Sequence, residues 1–244
     1  MSTGFFLTMN NTGTLFLIPS VIAENTAQSV LPQEVIKMIN ELDEFIVENE
    51  RTCRRFLKSI GYAKPLDSLI LYTLNKHTDN NELPSFLNSL LEGKNIGLLS
   101  EAGCPCVADP GSEIVRIAHE NNIRVKPLVG PSSILLALIG SGFNGQNFSF
   151  VGYLPVDKNA RIKKIKEIEN KAIREDQTQM FIETPYRNMQ LLNDLLQTCN
   201  LYSHLCIASN LTGEDEFIST RTIKEWKNNI PELNKKTVIF LIYK

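Results

Sequence analysis

Short β-rich runs alternate with amphipathic helical stretches along most of this chain, and that alternation constrains the fold more than any single residue. Thr14–Pro19 (TLFLIP) reads as a first strand. Pro32 to Leu42 follows with Val35, Ile36 and Ile39 at helical spacing, and Pro32 suits a helix start. Glu44–Glu48 (EFIVE) is a second strand, and Arg51–Ile60 a helix that Gly61 closes. Ser68–Thr73 (SLILYT) is a third strand, Leu83–Leu91 a helix ended by Gly93, and Asn95–Ser100 (NIGLLS) a fourth strand. Ser112–Asn121 is a helix with Ile114, Val115, Ile117 and Ala118 on one face, and Ile123–Leu128 (IRVKPL) a fifth strand. Strands alternating with helices of this length pack as βαβ units around a mostly parallel sheet with right-handed crossovers.

The second half is less regular. Pro131–Ser141 (PSSILLALIGS) reads as an apolar, mostly buried helix, and Asn147–Tyr153 as a strand. Asp157–Lys171 is a charged helix with a thin apolar face of Ile162, Ile165 and Ile168. Thr178–Glu183 is a strand and Tyr186–Cys199 a helix. Ser203–Ser209 and Asp215–Thr220 pair around a turn at Thr212–Gly213. A short helix at Thr222–Asn229 and a strand at Lys236–Tyr243 complete the chain. Consecutive strands imply antiparallel pairing, so this half is expected to hold a mixed sheet. The boundary is expected near Leu128–Pro131, giving two α/β domains, 14–129 and 130–244.

Composition removes several classes. The 244 residues carry 25 Lys plus Arg against 27 Asp plus Glu, a net charge of -2, so a general nucleic-acid coat or a polybasic membrane binder is not expected, although a local basic patch is allowed. No run approaches the roughly 18 apolar residues of a membrane span. The N-terminus lacks a basic n-region and an A-x-A-like site, so no secretory signal is read. Five cysteines, an odd number in a mid-sized chain, suit reduced thiols in a cytoplasm better than a disulfide framework.

The common catalytic signatures are missing: no P-loop, no G-x-G-x-x-G and no G-x-S-x-G elbow. His77, His119 and His204 are scattered, and Cys104 and Cys106 have no second pair at zinc-site spacing, so no metal is expected. The informative stretch is Leu98 to Gly111 (LLSEAGCPCVADPG), an apolar strand running through a Gly- and Pro-containing loop into a helix. Asp109 fits its N-cap and Pro110 its first helical position. Val129-Gly130-Pro131-Ser132-Ser133 repeats the arrangement after the fifth strand, offering a hydroxyl and N–H groups near a helix start that suit a carboxylate or a ribose hydroxyl. Two such loops at the carboxyl ends of parallel strands mark a ligand site. The alternative is that both are plain helix caps.

These segments resemble a known family. SEAGCPCVADPG is similar to the S-D-A-G-x-P-x-x-x-D-P-G motif of the tetrapyrrole methylase superfamily, and VGPSSILLAL to its P-G-P-S-A segment. In the same order, FVGYLP (Phe150–Pro155) resembles F-x-G-F-L-P, FIETPYR (Phe181–Arg187) resembles F-Y-E-S-P-H-R, and IASNLTGEDEFI (Ile207–Ile218) resembles A-R-E-L-T-K-x-x-E-E-F. The combination points to the ribosomal RNA small-subunit methyltransferase I branch, which methylates a ribose 2′-hydroxyl.

The resemblance implies two α/β domains of the tetrapyrrole methylase type, a parallel N-terminal and a mixed C-terminal sheet, S-adenosylmethionine in the cleft between them, and a homodimer. Carried over by position, Glu101, Ala102 and Gly103 line the cofactor site, Val107 packs near the adenosyl group and Ser132 contacts the methionine portion. Thr184, Pro185 and Tyr186, with Asn210, Leu211 and Thr212, close the adenine side, and Thr237 adds to it. Transfer from a sulfonium releases a neutral leaving group, so positioning can carry the chemistry without a metal. A base for the hydroxyl proton would still help, and no residue is assigned to it.

The chain departs from the family pattern in several places. The T-P-I-G-N-L loop is replaced by Ile18-Pro19-Ser20-Val21-Ile22-Ala23-Glu24-Asn25, and A-E-D-T-R by Val47-Glu48-Asn49-Glu50-Arg51. Glu101 stands for Asp, Ser209-Asn210 for Arg-Glu and Ser219-Thr220 for Arg-Gly. The altered first loop bears on the acceptor side. Other readings therefore stay open: a tetrapyrrole or other small-molecule methylase, or a cofactor-binding protein without transfer activity. Lys158–Lys171 carries six Lys or Arg, and Arg161, Lys163, Lys164 and Lys166 are the candidates for contacting RNA or the small ribosomal subunit. The alternative for this run is a solvated helix face.

Overall fold

A computed structural model describes residues 12–244. The chain divides into two compact units, one made of the residues up to Val21 with Ala27–Pro131, the other of Ile22–Thr26 with Ser132–Lys244.

The first unit is built on β1 (Thr14–Ile18), β2 (Glu44–Val47), β3 (Ile70–Thr73), β4 (Ile96–Leu99) and β5 (Arg124–Pro127), in the spatial order β3-β2-β4-β1-β5, with every neighbouring pair parallel. The alternation of β1 sends Phe16 and Ile18 to one face and Leu15 and Leu17 to the other. On the first face they meet α1 (Ala27–Val30), α2 (Gln33–Glu41) and α3 (Glu50–Ser59) through Ala27, Val35, Ile39, Phe56 and Leu57. On the second they meet α4 (Asn88–Leu91) and α5 (Gly111–Glu120) through Leu90, Ile114, Ile117 and Ala118. The expected helix over Leu83–Leu91 is a 3₁₀ turn, Leu83–Leu87, running into the single turn of α4. The inner strands β1, β2 and β4 are covered on both faces and buried along nearly their whole length, while the edge strands β3 and β5 are more exposed.

Strand order sets where a ligand can sit. β1 and β4 are adjacent and parallel, yet the chain leaves β1 toward the α1–α2 face and leaves β4 toward the α5 face. The two loops diverge from neighbouring carboxyl ends, the switch point at which open α/β sheets bind ligands.

The second unit is mixed, as expected. Its strands β6 (Phe148–Tyr153), β7 (Thr178–Ile182), β8 (His204–Ser209), β9 (Phe217–Thr222) and β10 (Val238–Tyr243) lie in the order β6-β7-β10-β8-β9. Only β6 and β7 are parallel. Helices α7 (Lys158–Arg174), α8 (Asn188–Thr198) and α9 (Ile223–Asn228) cover one face around Ile165, Leu195, Trp226 and Phe240. Helix α6 (Ser133–Ser141) covers the other through Ala137 and Leu138. Helix α6 is less buried than its composition suggested. Leu135 is 51% and Ile139 77% exposed, because they lie on the side of the helix turned away from this sheet.

Arg161 corrects the sequence reading most sharply. It was expected on the solvated face of α7 as an RNA contact, but it is 2% exposed. Its Nε donates to Asp194 Oδ2 at 2.7 Å, and its Nη1 donates to the carbonyls of Pro155 and Val156 at 3.2 and 2.6 Å. The buried stripe of α7 therefore runs Arg161, Ile165, Ile168, Glu169 and Ala172, with Arg161 ion-paired to Asp194. Glu169 Oε1 accepts from Asn200 N and Ser203 Oγ. Arg161 braces the chain leaving β6 against α8. Removing one partner leaves a buried charge uncompensated, so Arg161→Ala is expected to lower the unfolding free energy by roughly 3–5 kcal/mol. Exposed Lys163→Ala is expected to stay within about 0.5 kcal/mol, urea denaturation of both variants being the check.

Candidate active site

In the first unit the site is formed by the loops after β1, β4 and β5, adjacent strands in the sheet. The loop from Ser100 to Gly111 holds an unusual backbone. Gly103, Cys106 and Ala108 all take positive φ, at 72°, 66° and 61°. Three sets of hydrogen bonds impose it. Gly103 O accepts from Ser20 N at 2.9 Å and from Ser100 Oγ, tying the β4 loop to the β1 loop. Asp109 accepts from Cys106 N at 2.9 Å and Gly111 N at 2.8 Å. Cys104 Sγ lies 3.4 Å from Pro131 O, in the segment that follows β5.

Helix α5 starts at Gly111, with Pro110 rather than the expected Asp109 at the N-cap position. Asp109 still serves the helix by binding the N–H of Gly111, its first residue. Burial pushes the Cys106 thiol up to about 12, with the Asp109 charge adding to the effect, and raises Cys104 as well. Both cysteines are therefore protonated packing groups, as the spacing suggested. Among the described residues no group of three or more His, Cys, Asp or Glu is placed to hold a metal ion.

The residues expected at the cofactor divide by exposure. Glu101, Ala102 and Val107 are exposed on the loop surface, Val107 at 47%. Gly103 is buried beneath them and presents backbone only. Glu101 Oε1 accepts from Thr52 Oγ1 of α3, so the longer side chain at this position is anchored rather than free. Ser132 caps α6 by accepting from Leu135 N at 3.4 Å, which leaves its hydroxyl proton to donate to a carboxylate.

Sequence reasoning passed over Glu48, at the end of β2 and half-buried. Its carboxyl is held above the usual 4.5, first by desolvation and then by the Asp109 and Glu101 charges. The motif at Val47–Arg51 was the available signal, and Asn49 beside it caps α3 by accepting from the N–H groups of Arg51 and Thr52.

In the second unit three segments converge at one end of the sheet. β10 lies between β7 and β8 and runs antiparallel to both, so its start adjoins their carboxyl ends. After β7, Thr184-Pro185-Tyr186 forms a turn closed by Arg187 N donating to Thr184 O at 2.9 Å. Buried Glu183 fixes the turn by accepting from Thr184 N and from Arg187 Nη2, both at 2.6 Å. Tyr186 is left 78% exposed. After β8, Asn210 and Thr212 take positive φ, at 47° and 70°. Asn210 N donates to Thr237 O at 2.9 Å, and Asn210 Oδ1 accepts from Thr237 N at 3.1 Å, which places Thr237 beside this loop as expected. The Leu211 side chain is buried against Ala208 and Ile239. Thr212 Oγ1 is buried without a hydrogen-bond partner. An orphaned hydroxyl on one of the two positive-φ residues fits a polar ligand group.

Comparison with known proteins agrees with the α/β fold of both units. Residues 29–227 match the Tetrapyrrole (Corrin/Porphyrin) Methylases, and the chain belongs to that family. Within it, the chain falls in the branch of ribosomal RNA small subunit methyltransferase I. Proteins of that name from Haemophilus influenzae, Escherichia coli O157:H7 and Halalkalibacterium halodurans are 29%, 30% and 31% identical to it. These matches cover 95%, 88% and 87% of this chain and 78%, 71% and 69% of theirs. Among solved structures, the methyltransferase CobJ has a TM-score of 0.61 at 16% identity, covering 96% of this chain and 94% of its own. A cobalt precorrin-4 methyltransferase has a TM-score of 0.56 at 12% identity, covering 94% of each chain. Those two share the fold.

Substitutions at two positions test this geometry. At φ +72°, Gly103 cannot take a side chain without strain, so Gly103→Ala is expected to cost about 1–2 kcal/mol, read by urea denaturation. The bulkier Gly103→Val is expected to lose fold stability as well as ligand room, not ligand room alone. For Glu48 the raised carboxyl means that the folded state holds its proton more tightly than the unfolded state, so stability falls as pH climbs from 4.5 through the folded value. Glu48→Gln is therefore expected to match the parent below that window and to melt higher above it, which differential scanning calorimetry across pH measures.

Proposed function

We propose that the chain transfers a methyl group from S-adenosylmethionine to a ribose 2′-hydroxyl of small-subunit ribosomal RNA. The observation that carries this reading is the β1/β4 switch point, with its tied, positive-φ loop, inside a chain that matches the methyltransferase I branch over most of its length. When bound, S-adenosylmethionine supplies an electrophilic methyl group. We assign its binding to Glu101, Ala102, Gly103 and Val107 on the β4 loop and to Ser132 at the start of α6. In the second unit the assignment is to Thr184, Pro185, Tyr186, Asn210, Leu211 and Thr212. Leu211 contributes backbone, since its side chain is committed to the core, and Ser132 Oγ donates to a carboxylate. Thr212 Oγ1, orphaned in the protein, takes a polar partner from the ligand.

The basic helix supports an RNA acceptor in revised form. Lys163 and Lys166 are exposed one turn apart on α7, while Lys164 is partly occupied by Glu167 at 2.7 Å. The docking cations are therefore Lys163 and Lys166, with Lys164 beside them. The proposal includes a homodimer and a cytoplasmic setting. Exposed Leu135 and Ile139 supply apolar surface for the former. Among the described residues no helix is long and apolar enough to cross a membrane.

Calorimetry with S-adenosylmethionine and its demethylated product, in EDTA, is expected to show saturable binding that is lost in Ser132→Val. Folded protein that binds neither ligand would overturn the assignment. Binding to small subunits across a salt series separates the acceptor classes. Changing Lys163 and Lys166 to Gln is expected to lower the log–log slope by roughly 0.7–0.9 per lost phosphate contact, with cofactor affinity unchanged. An unchanged slope favours a small-molecule acceptor.

A further inference from the structure

A cavity of about 430 Å³ lies at the carboxyl end of β8 within the second unit, and neither the catalytic reading nor the cofactor assignment uses it. Ser209 lines it. That side chain is 1% exposed, and its Oγ has no hydrogen-bond partner. A buried hydroxyl without a partner bears its desolvation cost uncompensated, which points to a group from outside the chain. Asp215, Glu216 and Glu232 line the same cavity, with Lys236 the one cation among the described residues that line it. Lys236 Nζ stands 3.8 Å from Asp215 Oδ2, too far to neutralise the set closely.

Each carboxylate is held by the chain through one oxygen. Asp215 Oδ2 accepts from Asn210 Nδ2 at 2.6 Å, Glu216 Oε2 from Thr212 N at 2.7 Å and Glu232 Oε1 from Asn234 N at 2.7 Å. The acids are thus positioned rather than loose. Phe217 adds an aromatic wall. A buried, unpartnered hydroxyl, positioned carboxylates and an aromatic ring in one lining match a flat cation with several donors better than a compact ammonium.

We propose that this pocket binds a guanidinium group, with Ser209 Oγ and the free oxygens of Glu216 and Glu232 accepting its N–H donors and Phe217 packing on its plane. Ser209 also stands where the motif that this segment resembles carries arginine. A guanidinium supplied by the chain itself at this position would therefore occupy the space the cavity leaves.

The test is calorimetric titration of the full chain, at constant ionic strength, with methylguanidinium, with N-acetyl-arginine amide and with methylammonium. Methylguanidinium is expected to bind one-to-one with a Kd on the order of 1 mM. Ser209→Ala is expected to weaken it about tenfold, since a hydrogen bond to a charged group is lost. Glu232→Gln, which keeps an oxygen for Asn234 N, is expected to weaken it about two- to fivefold, and Lys236→Met to strengthen it by a similar factor. Ser209→Arg is expected to abolish binding, with near-ultraviolet circular dichroism confirming the fold. Tighter binding of the arginine amide assigns the pocket to an arginine side chain of a protein partner. Equal binding of the two assigns it to a free guanidinium compound. Absence of saturable binding by folded protein would overturn the proposal. So would methylammonium binding as tightly as methylguanidinium, or a Lys236→Met variant that binds no better than the parent.

Discussion

Parallel pairing of β4 beside β1, with their following helices on opposite faces of the sheet, is the constraint on which the first unit's function depends. The pairing Leu15↔Ile96 through Ile18↔Leu99 brings two carboxyl ends level, and the opposed helices pull the loops apart. The backbone between must then reverse in few residues, and it does so through positive φ at Gly103, Cys106 and Ala108. Such conformations are costly for Cys and Ala and persist only where the surroundings over-determine them. Here the determinants are visible: Ser20 and Ser100 on the carbonyl of Gly103, and Asp109 on two N–H groups. The loop is organised in advance, which is what transfer by positioning requires.

The second unit solves a similar problem with an antiparallel insertion. β10 enters between β7 and β8, so Thr237 meets Asn210 directly and Lys235 N donates to Pro185 O at 3.0 Å. Exposed Tyr186 stands on a turn whose geometry is set from below by Glu183 and Arg187. Away from this end, Arg161 and Asp194 bury opposite charges that hold the exit of β6. Such a pair commits the helix to one rotation about its axis, and that rotation leaves Lys163 and Lys166 outward.

Most strands were legible because period-2 alternation and turn residues are local signals, and boundaries moved by only a residue or two. The Leu98–Gly111 loop was legible for the same reason: Gly, Pro and Asp at a strand end have few structural meanings. What escaped depended on distant partners. Arg161 reads as solvated until Asp194, on another helix, is known to accept from it. The apolar helix α6 reads as buried all round until the sheet is seen to leave Leu135 and Ile139 outward. The segment Ile22–Thr26, read with the first domain, groups with the second unit, where Ile22 packs near Leu211. The cavity at Ser209 follows from side chains that two separate segments supply, the β8–β9 connection and the one before β10. Glu48 was visible as a motif residue, but its raised carboxyl comes from burial in the fold and then from the charges of Asp109 and Glu101, far along the chain.

The central claim is methyl transfer to small-subunit RNA, and its most direct test is transfer itself. Small subunits from cells lacking this chain would be incubated with the purified protein and S-adenosylmethionine bearing an isotopically labelled methyl group. Their RNA would then be digested and read by mass spectrometry. The account predicts labelled methyl on a single ribose 2′-oxygen. Folded, cofactor-binding protein that leaves the RNA unlabelled would contradict it.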